Sequence, residues 1–158
     1  MLGNIYGDVV MCECLSNSQF NKIMNMQKIF TDAIITLPVQ GSKHVYHVTD
    51  KLQKEKFFVD ANRSGTISLG KIKIQERHTP YTILVRLEID APPHINPDGS
   101  KIGRDHIHIY SQGYGDRWAF DLSSFQDAHF NQCKNFYDYF VEFCQYCNIE
   151  KTEIQTVL

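Results

Sequence analysis

Residues 105–111 read DHIHIYS, and the parity of this stretch decides the architecture. Side chains alternate along a strand, so His106, His108 and Tyr110 share one side while Ile107 and Ile109 share the other. With the isoleucines turned inward against helices, the two histidines and the tyrosine stand on an open sheet face. The same period of two runs through YTILVRLEI at 81–89. There Ile83, Val85, Leu87 and Ile89 face one way, and Thr82, Arg86 and Glu88 the other. Shorter strand signals lie at 43–49 (KHVYHVT), 56–61 (KFFVDA), 67–75 around Ile72 and Ile74, and 114–120. Between them fall the turn signals Asn62-Arg63-Ser64-Gly65, His78-Thr79-Pro80 and Asn96-Pro97-Asp98-Gly99.

Helical patterns flank this run of strands. Ser16 with Gln19 three residues later is a capping box, and Leu15 and Phe20 are placed as its hydrophobic staple. Phe20, Ile23, Met24, Phe30, Ala33, Ile34 and Leu37 then recur at helical spacing up to Pro38, which predicts a helix over 20–37. Phe130, Cys133, Phe136, Tyr137, Phe140, Cys144 and Cys147 trace a second apolar stripe, capped by Ser123 or Ser124 and ended by Asn148. The connections between strands are too short for crossover helices. The expected class is therefore α+β, with an antiparallel sheet of about five or six strands packed on an N-terminal and a C-terminal helix. One domain over 1–158 is expected, with 1–14 a short arm or strand and 149–158 a frayed tail.

Hydrophobic residues make up 42% of the chain and aromatics 12%, which is globular. A net charge of -2 disfavours a duplex nucleic-acid binder, which needs a basic field. No apolar run reaches the roughly 20 residues that span a bilayer. The start of the chain lacks a secretory pattern, so a cytoplasmic location is expected. Cys12, Cys14, Cys144 and Cys147 could be arranged as a zinc set. However, the last two fall on the helical stripe, where small buried hydrophobes are the better reading.

The chemistry concentrates in residues 93–110, PHINPDGSKIGRDHIHIY. His-x-His on a strand places two imidazoles about 6 to 7 Å apart at Cα, so their ring nitrogens can converge on one ion or phosphate. His94 is the candidate third ligand, giving His94, His106 and His108 as a set for zinc or another divalent metal. Asp98 or Asp105 is the candidate carboxylate that orients an imidazole, with Asp105 carried into the catalytic set. Without a metal, His106 and His108 could act as acid and base with His94 as proton donor. His47-Val48-Thr49 resembles the His-x-Thr element of two-histidine phosphoesterases, but that element is needed twice, and no hydroxyl follows His106 at the matching position. Tyr110, Tyr114, Arg117 and Trp118 are of the types that anchor protein interfaces.

The pattern His94-x-Asn96-Pro97-Asp98-Gly99, His106-x-His108-x-Tyr110 and Gly113-Tyr114-x-Asp116-x-Trp118-Ala119 resembles an uncharacterised family of small bacterial and prophage proteins. The resemblance implies a factor linked to mobile elements and carries over no chemistry. Two functions are therefore expected. The first is a cofactor-free interaction protein that binds and inhibits or sequesters a protein partner, for example a host-defence component such as a CRISPR effector. The second is a histidine-based phosphodiesterase or nuclease, metal-dependent in one version.

Overall fold

The computed structural model describes residues 14–65 and 70–155. The expected arm at 1–13 with Cys12, the start of the strand signal at 67–69, and residues 156–158 lie outside the described residues.

The reciprocal cap forms as its residues dictate: Ser16 Oγ accepts from Gln19 N at 3.1 Å, and Gln19 Oε1 accepts from Ser16 N at 2.8 Å. It opens helix α1 (Asn17–Asn25), which ends well before Pro38. In place of the long helix come two strands, β1 (Lys28–Phe30) and β2 (Ile34–Thr36). The remaining strands are β3 (Lys43–Asp50), β4 (Lys56–Asn62), β5 (Ile72–His78), β6 (Thr82–Ile89), β7 (His94–Ile95), β8 (Lys101–Ile102), β9 (His106–Ile109), β10 (Ala119–Asp121) and β11 (Glu153–Gln155). Helix α2 (Phe136–Tyr146) is capped by Asn135, whose side chain accepts from Asp138 N at 2.9 Å. It therefore starts later than Ser123 or Ser124 would allow, and Phe130–Gln132 form only a 3-10 turn. Asn148 ends the helix in the left-handed region at φ 57. Its amide donates to Asn25 O at 3.0 Å and Met26 O at 2.9 Å, tying the two helix ends together.

The class is α+β as expected, but the main sheet has seven strands, in the order β1-β3-β4-β5-β6-β9-β10, with every neighbouring pair antiparallel. Two small sheets accompany it: the β7–β8 hairpin and a parallel pair of β2 with β11. The expected frayed tail is thus held by the sheet up to Gln155. Among the described residues no helix is long and apolar enough to cross a membrane.

Period-two burial fixes the two faces. Tyr46 and Val48, Phe57 and Val59, Ile72 and Ile74, Val85 and Leu87, and Ile107 are buried in one core, together with Phe20 and Ile23 of α1 and Phe136, Phe140 and Phe143 of α2. The opposite face carries Asp60, Gln75, Arg86 and His108 in one cross-strand row, and Asn62, Lys73, Glu88 and His106 in the next. At Leu84 the ladder slips: Glu76 pairs with Val85 and Arg77 with Ile83, so Leu84 is an extra residue, and both Leu84 and Val85 are fully buried.

Lys28 and Glu76 are both 0% exposed within the core, with Nζ 3.1 Å from Oε1. The ammonium also donates to Cys147 O at 2.7 Å and lies 5.1 Å from the centre of the Phe57 ring. Removing one member of a buried pair strands the other charge. Lys28→Ala should therefore cost about 3–5 kcal/mol in urea denaturation, and Lys28→Met with Glu76→Leu should recover most of that loss. Equal losses for the single and double variants would show that the pair is not the determinant.

Candidate metal centre

Strand pairing assembles the site. β6 and β9 align Arg86 with His108 and Glu88 with His106, all on the face away from the core. His106 and His108 share this side, as parity requires, but they are not on an open surface: each is 1% exposed. The segment 94–103 and the loop at 116–117 close over them. His106 Nδ1–H donates to Gly103 O at 2.7 Å, and His108 Nδ1–H donates to Asp116 O at 2.8 Å. The His94 ring meets His108 edge-on, with centroids 4.6 Å apart, and lies 5.9 Å from His106.

A backbone carbonyl only accepts, so these two bonds fix both rings with the proton on Nδ1 and turn both Nε2 atoms to the same point. That point is Glu88 Oε2, 3.0 Å from His106 Nε2 and 3.3 Å from His108 Nε2. The three donor atoms lie within 4.8 Å of one another and form the group of metal-ligating side chains that converges among the described residues. Glu88 was not a sequence candidate. Its signal was its place on the polar side of 81–89, but only the pairing register puts it beside the histidines.

The other candidates fall into place around this trio. His94 is close but not a member of the converging set; its Nε2–H donates to Arg117 O at 2.8 Å. Asp105 does not orient an imidazole: its Oδ1 accepts from Asp90 N at 2.8 Å, and backbone carbonyls do the orienting instead. Tyr110 is not on the polar face. It follows the end of β9, its N–H donates to Leu84 O at the bulge, its ring stacks on Phe20 at 5.6 Å, and its hydroxyl donates to Leu15 O at 2.8 Å. The local ladder slip turns it into the core, where simple alternation would place it outside. Tyr114, Arg117 and Trp118 lie together at the rim, with Tyr114 meeting Trp118 edge-on at 5.7 Å and the Arg117 guanidinium 5.6 Å from the Tyr114 ring. His47 stands on β3 against Phe58, 5.3 Å between ring centres. Cys144 and Cys147 are buried core residues whose thiols burial pushes up.

Residues 15–149 match a family of unknown function, DUF6978. The chain belongs to this family. The matched span takes in every residue of the centre in this DUF6978 member. No curated protein and no solved structure matches the chain.

Arg86 completes the cluster. Its Nη1 pairs with Asp116 Oδ2, its Nη2 donates to His108 Nε2 at 3.3 Å, and its Nε lies 3.6 Å from Glu88 Oε1. The two histidines are pushed apart. Burial lowers His108, helped by the Arg86 charge. Burial also opposes charge on His106, but bonds to Glu88 and to Gly103 O outweigh it and raise its pKa. The bond from His106, with the neighbouring Arg86 charge, holds the Glu88 carboxyl far below the usual carboxylate range. With no ion bound, His106 is the imidazolium that donates to Glu88, and His108 is the neutral ring that accepts from Arg86.

This pairing has a pH signature. Glu88, with its lowered pKa, contributes stability above its unfolded value of about 4.3 and loses it as pH falls; His106, with its raised pKa, contributes below about 6.5 and loses it as pH rises. In chelator, the stability gap between wild type and Glu88→Gln should peak near pH 5–6, at about 1–3 kcal/mol, and shrink on both sides. A gap independent of pH would remove the His106–Glu88 ion pair from this description.

Proposed function

We propose that the chain is a divalent-metal protein of hydrolytic type, in which Glu88, His106 and His108 hold one ion. The observation that carries this reading is the pair of Nδ1–H bonds to Gly103 O and Asp116 O, which aims both Nε2 atoms at one carboxylate oxygen. Metal-ligating histidines use their second nitrogen in the same way. Separations of 3.0 and 3.3 Å are close to the edges set by metal–ligand bonds of about 2.0–2.1 Å. Two histidines and one carboxylate leave further positions open, as catalytic sites with two histidines and a glutamate do. The Glu88 side chain is 21% exposed, so the centre has an edge toward solvent. An ion there would supply an activated water near neutral pH. Glu88 and the two imidazoles fix its position, and the ring of His94 walls one side.

The test is metal content and linkage. Purified protein should carry or take up about one equivalent of zinc or another divalent first-row metal. At a hundredfold excess over Kd, the ion should add about 2.7 kcal/mol of stability that a chelator removes. His106→Ala, His108→Ala and Glu88→Gln should each abolish the increment. A wild-type chain that binds none of zinc, manganese, cobalt or nickel, with unchanged melting in chelator, would refute the reading.

A second reading, a protein that binds and inhibits a protein partner, is supported by the rim. Tyr114 is 44% exposed, stacked under Arg117 and against Trp118, and these are interface-anchoring types. The contact surface would be this patch, without the buried His106, His108 and Tyr110. Tyr114→Ala with Arg117→Ala should abolish capture of a partner while leaving the melting temperature and metal content unchanged. Capture that survives both substitutions would rule the patch out.

A further inference from the structure

The guanidinium of Arg86 is incompletely used. Its Nε is buried without a hydrogen-bond partner, since Glu88 Oε1 at 3.6 Å is too distant. Its Nη2 relies on the His108 Nε2 lone pair at 3.3 Å, while Nη1 is taken by Asp116. An ion held by His108 consumes that same lone pair. Metal binding thus removes the acceptor of Nη2 and leaves Nε–H and Nη2–H, adjacent donors on one edge of the fork, both without partners. Two parallel N–H groups from one guanidinium match two oxygens of a single oxyanion. The ion beside them offers open positions to a third oxygen.

Resting on the metal reading, we propose that the loaded centre binds a phosphoryl group, with two oxygens on Nε and Nη2 of Arg86 and a third on the ion. A carboxylate, with two oxygens, would have to share one of them between the fork and the metal. A phosphoryl group would not. The charge balance agrees: with the histidines neutral as ligands, a divalent ion, Glu88, Arg86 and Asp116 leave one net positive charge facing the ligand. Asp116 holds the guanidinium by its far nitrogen, so the fork edge stays turned to the centre. The substrate class is thereby narrowed to phosphate esters or anhydrides, and phosphate and metal are expected to strengthen each other's binding.

The experiment is calorimetric titration of full-length protein with zinc, then with inorganic phosphate, and with acetate in parallel. Zinc-loaded wild type should bind phosphate at least about tenfold more tightly than metal-free protein and than it binds acetate. Arg86→Gln should keep zinc and lose that gain. Arg86→Lys, which keeps the charge but not the fork, should recover only part of it. Zinc retained with equal phosphate binding in wild type and Arg86→Gln overturns the phosphoryl assignment and leaves the metal centre standing. Acetate binding as tightly as phosphate, or full recovery by lysine, overturns the three-oxygen geometry. Failure of the wild type to bind zinc or any of manganese, cobalt and nickel removes both.

Discussion

The fold turns on one buried charge. Lys28 sits at the start of β1 with no exposed surface, and its backbone joins the chain after α2: Lys28 N donates to Asn148 O, and Glu150 N donates to Lys28 O. Its ammonium reaches through the core to Glu76 on β5 and to Cys147 O, just past the end of α2. A charge without water must be matched closely, because desolvation costs several kcal/mol per ion. Burial pushes the Glu76 carboxyl upward, and the neighbouring Lys28 charge opposes that shift. A lysine at this depth has few places to go. It ties β1 to β5 and to the chain just after α2, and it does so from a stretch whose apolar spacing looks helical.

The polar face follows the same logic of enforced partners. Nothing in His-x-His alone turns two rings to one point. Here two carbonyls, from Gly103 and Asp116, take the Nδ1 protons, and the antiparallel register brings Glu88 opposite. The cluster is thus built from main-chain geometry in the connections and needs only three side chains, one carboxylate and two imidazoles. Arg86 sits beside both Glu88 and His108, and its charge lowers the pKa of each.

Much of this was legible in the chain and some was not. The capping box at Ser16 and Gln19, the Asn96–Gly99 turn and the alternation from Val85 to Ile89 are local, and each formed as read, with Gly99 at φ 85 and its N–H on Asn96 O. The helix over 20–37 failed because β2 is decided by Glu153–Gln155, far away in sequence. The fate of Tyr110 depended on an extra residue, Leu84, in the neighbouring strand. Glu88 and Arg86 were placed on the correct side, but no one-dimensional pattern gives the register that sets them against His106 and His108.

Asn96 carries one more consequence. It is 6% exposed, and its amide both donates to Ala119 O at 3.0 Å and accepts from Ala119 N at 2.8 Å, as a neighbouring strand would. Among the described residues β10 is the last strand of the seven, and an outer rim of this kind is where another molecule could lengthen the sheet by backbone pairing. A single carboxamide occupies that rim at its start. The molecule thereby blunts fibre-like growth from this side with one side chain, where other proteins spend a whole helix or a row of lysines.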